Sequence, residues 1–261
     1  MSKNIIFYFT GTGNSLYAAR EIAATLGDTE LAFTPDSFSV DLTGYERVGF
    51  VYPVYFGGIP LIVKKFVESL NIPTNVYLFA VATCGGSGRA GIAEIASLLS
   101  AKGRDLDFGS LLSMGGNYIL LHDKTEKADS VNASASKELS AIVVDIRNKA
   151  RRTSEKMHPI MGIIIDLFRQ GFHKTARKYT VSGDCTACGL CSKICPVHNI
   201  EVKDSKPIFD DKCEQCMACI QFCPHRAINY RGKTQKRKRY HHPDITAADL
   251  IRHEKSMVNR T

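Results

Sequence analysis

The sequence predicts an α/β protein: a doubly wound, parallel five-stranded sheet followed by a small α+β unit. Two observations carry this. Short apolar runs alternate with helix-patterned segments through about residue 156, and eight of the nine cysteines fall between Cys185 and Cys223. The length agrees, since 261 residues suffice for two ordinary domains. With 44% hydrophobic and 23% charged residues the composition is globular. No apolar run reaches the ~18 residues of a membrane helix, so no membrane span is expected. Met1-Ser2-Lys3 leads straight into a strand-like segment without a secretory cleavage site, and a cytoplasmic protein is expected.

Asn4-Ile5-Ile6-Phe7-Tyr8-Phe9 reads as a strand buried on both faces, because its apolar residues run without alternation. Residues 16–27 read as a helix closed by glycine. Strands are expected over 47–52, 76–82 and 106–114. Helices are expected over 60–70, opened by Pro60 where a missing N–H costs nothing, and over 90–102 and 129–156. Strands alternating with helices give parallel pairing with right-handed crossovers, and ligands of such sheets bind beyond the carboxyl ends of the strands. The expected organisation is a sheet domain over 1–156, a helical connector over 157–180, a cysteine-rich unit over 181–230, and a basic tail with a short helix over 231–261.

Three loops gather at that sheet edge. In Thr10-Gly11-Thr12-Gly13-Asn14-Ser15 the glycines let backbone N–H groups converge, and the next helix adds its positive end. The hydroxyls and the amide add neutral donors, which suits a phosphate monoester held without lysine. No Gly-Lys-Ser/Thr follows, which disfavours a P-loop, and Leu16 stands where a dinucleotide fingerprint has its third glycine. Pro53-Val54-Tyr55-Phe56-Gly57-Gly58 follows the second of these strands, and Thr83-Cys84-Gly85-Gly86-Ser87-Gly88 the third. Together they would hold a phosphorylated planar ligand.

This three-loop pattern over residues 1–155 resembles the flavodoxin family, whose members bind FMN. The resemblance implies that Thr10 to Ser15 (Thr10, Gly11, Thr12, Gly13, Asn14 and Ser15) hold the FMN phosphate. It implies that Tyr55 or Phe56 stacks on the flavin, with the Gly57-Gly58 peptide near its N5. Thr83, Cys84, Gly85 and Gly86 would close the third side. That loop has no aromatic residue, so Tyr118 or the second domain would cover the other flavin face.

Cys185-x₂-Cys188-x₂-Cys191-x₃-Cys195-Pro196 is repeated 28 residues later as Cys213-x₂-Cys216-x₂-Cys219-x₃-Cys223-Pro224. Zinc is the rival ligand for CxxC pairs, but four ligands close its shell and it has no need of this triplet-plus-one pattern. Three close thiolates instead grip three irons of one cubane, and the fourth cysteine of each run crosses to the other cluster. One [4Fe-4S] cluster would then be held by Cys185, Cys188, Cys191 and Cys223, the other by Cys213, Cys216, Cys219 and Cys195. Residues 181–230 resemble bacterial two-cluster ferredoxins.

The formal charge of +8 is uneven: residues 1–121 carry −2, 122–180 +5, 181–230 −1 and 231–261 +6. Bound thiolates and clusters lower the total, so nucleic acid is disfavoured as a partner and docking of a redox protein fits as well. The apolar segment 160–168 is expected to pack across the domain junction, with a membrane-surface helix as its rival, and the basic run 231–239 to be a solvated tail. The chain resembles flavodoxin–ferredoxin fusions of anaerobic electron transfer. The expected function is passage of single electrons between two [4Fe-4S] clusters and FMN, and no residue looks like a dedicated catalytic acid, base or nucleophile. The alternatives are a flavin-dependent reductase fed by its own clusters and a redox-responsive nucleic-acid-binding protein.

Overall fold

The computed structural model describes residues 3–86, 88–121, 128–152 and 156–251. Its first part is a sheet of five parallel strands in the order β2-β1-β3-β4-β5, formed by β1 (Asn4–Tyr8), β2 (Thr29–Phe33), β3 (Arg47–Pro53), β4 (Tyr77–Cys84) and β5 (Phe108–Ser113). The helices between them are α1 (Asn14–Leu26), α2 (Leu61–Ser69) and α3 (Arg89–Ala101), with α4 (Ala128–Arg147) after β5. Successive strand residues point to opposite faces. Ile5, Phe7, Phe50 and Leu78 join Phe66, Ile95 and Leu99 on the α2–α3 side, whereas Ile6, Val51, Phe79 and Phe108 join Ile22, Leu139 and Val143 on the α1–α4 side. Both faces are covered, which is why these strands read as unbroken apolar runs.

Two expectations need correction. β2, the edge strand, was not among the expected segments: Thr29-Glu30-Leu31-Ala32-Phe33 is short and only partly buried, so no apolar run marks it. The helix expected through 156 ends at Arg147, because Lys149 takes a left-handed conformation (φ 52°) and the Ala150 amide turns back to the Asp145 carbonyl at 2.9 Å. Residues 153–155 of that expectation lie outside the described residues.

The connector is α5 (Pro159–Gln170) and a 3₁₀ stretch, Gly171–Lys178. The expected packing of its apolar side chains across the junction is made in part: Phe168 meets Phe56 edge-on with ring centroids 6.2 Å apart, whereas Ile160, Met161, Ile163, Ile164 and Leu167 are exposed. Arg169 and Asp166 cross it as well. Arg169, 3% exposed, donates to Glu94, to Asp166 and to the Ile59 carbonyl, and Lys64 pairs with Asp166.

The second unit holds β6 (Tyr179–Val181), α6 (Leu190–Lys193), β7 (Ile200–Lys203), β8 (Lys206–Phe209), α7 (Ala218–Gln221) and β9 (Ile228–Tyr230). β6 pairs with β9 and β7 with β8, both antiparallel. The 28-residue repeat extends to the backbone. Ala187 and Gln215, Gly189 and Met217, and His198 and Arg226 all have positive φ.

The tail differs from the expected solvated one. Residues 240–250 form a strap over the start of α1, ending in α8 (Ala247–Leu250). Thr246 caps α8 in a capping box with Asp249, and Asp249 pairs with Arg20 at 2.8 Å. The sequence predicts this short helix over 246–257, of which residues 252–257 lie outside the described residues. In the basic run itself, Arg237 donates to the Ile119 carbonyl and Arg239 to the Ile228 carbonyl at 3.3 Å.

Candidate functional site

Three cavities are lined by the residues of the expected cofactor sites. The first lies beyond the carboxyl ends of β1, β3 and β4, where ligands of such sheets bind. Thr10, Gly11, Thr12, Asn14 and Ser15 line it from the first loop, Tyr55 from the second, and Thr83, Cys84 and Gly85 from the third. The chain bends there because Gly13 sits at φ 98° and its N–H donates to Thr10 Oγ1 at 3.1 Å. Ser15 Oγ meets Thr83 Oγ1 at 2.8 Å, which ties the first loop to the third.

The wall on the far side is one the expectations only brushed. Gly115, Gly116 and Asn117 line the cavity, and Asn117 Nδ2 donates to Thr12 Oγ1 at 2.8 Å. Asn14 Nδ2 donates to the Gly115 carbonyl at 3.0 Å. Tyr118, the expected flavin-stacking residue, is not on this wall. Its ring meets Phe56 edge-on at 4.9 Å, and its hydroxyl donates to Gln215 Oε1 at 2.7 Å. Phe56 is turned away as well, at φ 51°, and packs on Phe172 with ring centroids 4.1 Å apart. Of the expected aromatic pair, only Tyr55 lines the cavity. Gly57, Gly58, Gly86 and Gly13 are not among its lining residues either. Gly58 lies instead against the buried Arg169–Glu94 pair. Cys84 donates to the Gly86 carbonyl at 3.0 Å, and burial pushes its thiol above the ordinary range, which suits packing rather than nucleophilic chemistry.

The second and third cavities are in the cysteine-rich unit. One is lined by Cys185, Cys188, Cys191 and Cys223, the other by Cys195, Cys213, Cys216 and Cys219. Each cavity thus draws three cysteines from one run and the last cysteine of the other. Among the described residues, no three His, Cys, Asp or Glu side chains converge as they would on a single metal ion. Backbone N–H groups aim at sulfur, from Asn199 to Cys195 at 3.2 Å, Gln215 to Cys213 at 3.3 Å and Ala227 to Cys223 at 3.3 Å. Burial pushes the thiols of Cys191 and Cys213 up to about 11 and those of Cys216 and Cys219 higher. Four thiolates in such surroundings need positive iron beside them, and binding it releases their protons. The donor set fits a cubane.

The first and third cavities touch. A Cβ added to Gly11 would stand 2.2 Å from the Cys216 carbonyl oxygen and 2.8 Å from its Cβ, so the two backbones are in direct contact. Tyr55 bridges the same wall. Its hydroxyl is buried with no hydrogen-bond partner, and its pKa is raised by burial and then by Cys216 and Glu214. Glu214 in turn accepts from the first amide of α2, Leu61, at 3.1 Å; burial raises it to about 7. The strap completes the enclosure. The His242 N–H donates to the Thr12 carbonyl at 2.8 Å, Ile245 lies on Gly13, and Tyr240 donates to Asn14 Oδ1 at 2.7 Å. The paired histidines are taken up by stacking, His242 on Tyr17 and His241 on Phe222.

Residues 5–90 match the flavodoxin domain family, and residues 184–228 match the 4Fe-4S dicluster domain family. The chain joins a flavodoxin domain to a 4Fe-4S dicluster domain. The flavodoxin domain implies FMN and the dicluster domain implies iron–sulfur chemistry. The chain is similar to the polyferredoxin protein MvhB of Methanothermus fervidus, 33% identical over 66 residues that make up 23% of this chain and 16% of that protein. The chain therefore spans a small part of that relative's length. Among solved structures, a putative flavoprotein of Bacteroides uniformis is 17% identical, with a TM-score of 0.36 over 52% of this chain and 98% of its own. An FMN complex of a flavoprotein from Lactobacillus acidophilus is 14% identical, with a TM-score of 0.36 over 51% and 99%. An azoreductase of Bacillus anthracis is 11% identical, with a TM-score of 0.40 over 55% and 99%.

Proposed function

We propose that this fusion passes single electrons between two [4Fe-4S] clusters and one FMN, in a fixed order. The cluster of Cys195, Cys213, Cys216 and Cys219 is next to the flavin, and the cluster of Cys185, Cys188, Cys191 and Cys223 faces outward. The contact between Gly11 of the flavin loop and Cys216 of the cluster loop carries this reading. Burial agrees with it, since Cys216 is buried and Cys188 is exposed.

Bound FMN supplies interconversion between one-electron and two-electron carriers. The residues of the chain position and insulate. Thr10 to Ser15 hold the phosphate end through backbone and hydroxyl donors, with Thr12 and Asn14 fixed by Asn117 and Gly115. Tyr55 fills the space between flavin cavity and cluster cavity and keeps water from it. The N–H donors to Cys195, Cys213 and Cys223 stabilise thiolate charge, which raises a cluster's potential relative to an unassisted one. An outside one-electron protein partner meets the exposed Cys188 side.

Single-turnover mixing with a one-electron donor tests the order. Removing the flavin-proximal cluster with Cys213→Ser is expected to leave FMN bound but slow its reduction by orders of magnitude, while iron in the outward cluster still reduces. Unchanged flavin reduction in that variant contradicts the reading.

A further inference from the structure

α5 presents an apolar face that the described residues leave largely open, with only the edge of Phe168 in contact, on Phe56 and Phe172. Ile160, Met161, Ile163, Ile164, Leu167 and Phe168 are each between 51% and 66% exposed. At about 100° per residue they fall within an arc of about 160°, while Asp166 and Arg169 lie on the opposite side of the helix. That opposite side is bolted down by the pairs to Lys64 and Glu94, so the apolar face is held outward. An apolar patch of this kind on a folded surface marks an interaction site.

Three occupants can be weighed from charge and composition. The flanks are basic at both ends: residues 147–156 carry five basic and one acidic side chain, and 171–178 carry three and none, or +4 and +3. Asp107, Asp145, Asp105 and Asp211 pair with four of these cations, which leaves the flanks net positive. A second copy brings basic flanks against basic flanks, which repels. Residues 252–261 have only Met257 and Val258 as apolar side chains and carry +2, too little grease and the wrong sign to cover the face. A protein partner of ordinary interface chemistry makes about one hydrogen bond per 100–200 Å², and six side chains of Ile, Met, Leu and Phe provide none. A layer of anionic lipid asks for apolar side chains between basic flanks and for no such bonds.

We propose that α5 docks this protein on the surface of an anionic bilayer, with the apolar face in the headgroup–acyl boundary and the basic flanks on lipid phosphates. No helix among the described residues is long and apolar enough to cross a membrane, so the helix lies on the surface. The proposal does not depend on the order of electron transfer.

The chain has no tryptophan, so Phe168→Trp in the reconstituted full chain gives a single fluorescent reporter on this face. With vesicles of phosphatidylcholine and phosphatidylglycerol the emission is expected to shift to the blue and the protein to cosediment. Pure phosphatidylcholine should bind less by about fivefold per basic side chain engaged, and salt should reverse the binding. Leu167→Glu is expected to abolish cosedimentation while iron and flavin contents stay unchanged. No blue shift with either vesicle overturns the proposal, and so does equal binding to both. A blue shift without vesicles that grows with protein concentration, matched by a dimer in sedimentation, shows a second copy to be the occupant and overturns it too.

Discussion

Gly11→Ala places one methyl group at the seam between flavin loop and cluster loop. The added Cβ would stand 2.2 Å from the Cys216 carbonyl oxygen. Real Cβ atoms do not approach below 3.0 Å, so the seam must open by at least the difference, 0.8 Å. The atoms met first are backbone, so no rotamer change relieves the clash. Overpacking of this kind costs about 1–3 kcal/mol. In a chain of this size that lowers the thermal midpoint by roughly 2–12 °C, at ~2–4 °C per kcal/mol. The assay is anaerobic thermal unfolding of the reconstituted chain, with FMN affinity measured by fluorescence in parallel. Both are expected to fall, together with the rate of flavin reduction through the clusters. A Gly11→Ala protein with unchanged midpoint, affinity and rate refutes the argument that the two loops are in contact.

Cys223→Ser should lose the cluster built on Cys185, Cys188 and Cys191 and spare that of its own run, as read by iron content and low-temperature spin resonance; loss of the other cluster contradicts crossed ligation. Arg169→Ala leaves Glu94 buried without its cation and should cost about 3–5 kcal/mol, whereas Arg169→Met with Glu94→Leu recovers most of it; equal midpoints for the single variant and the parent deny the anchoring of α5. Burial, against an opposing Asp244, holds the His242 imidazole below its ordinary 6.5. The unfolded chain therefore takes up the proton first, so the stacking on Tyr17 contributes fully above pH 6.5 and is lost as pH falls below it. Hydrogen exchange of residues 240–250, corrected for intrinsic rates, should be faster at pH 5.5 than at 7.5; slower exchange at the lower pH reverses the sign of the argument.

Much of the molecule is written in local pattern. The cysteine runs place three ligands on one tight turn each, so spacing alone carries the arrangement that brings Cys223 beside Cys185 and Cys195 beside Cys213. The first loop is equally local, because Gly13 needs its positive φ wherever the rest of the chain goes. What escaped is long-range. Phe56 and Tyr118 look like flavin-stacking residues in sequence but find each other and Phe172 across the connector. The strap's short helix is legible from its Thr246 cap, but its path over α1 is hidden behind nine residues dominated by charge. Arg169 and Glu94 lie 75 residues apart and carry no local signal of pairing. Gly115-Gly116-Asn117 was within reach: a Gly-Gly-Asn turn after the last strand has the same composition as the other loops of the sheet edge.

The central claim is that one chain holds FMN and two clusters in electronic contact. An anaerobic titration with a low-potential reductant tests it directly, with flavin and iron followed by absorbance and spin resonance. The account predicts about four reducing equivalents per chain, two on the flavin and one on each cubane. Equivalents that settle on iron alone, with no flavin to bleach, contradict it.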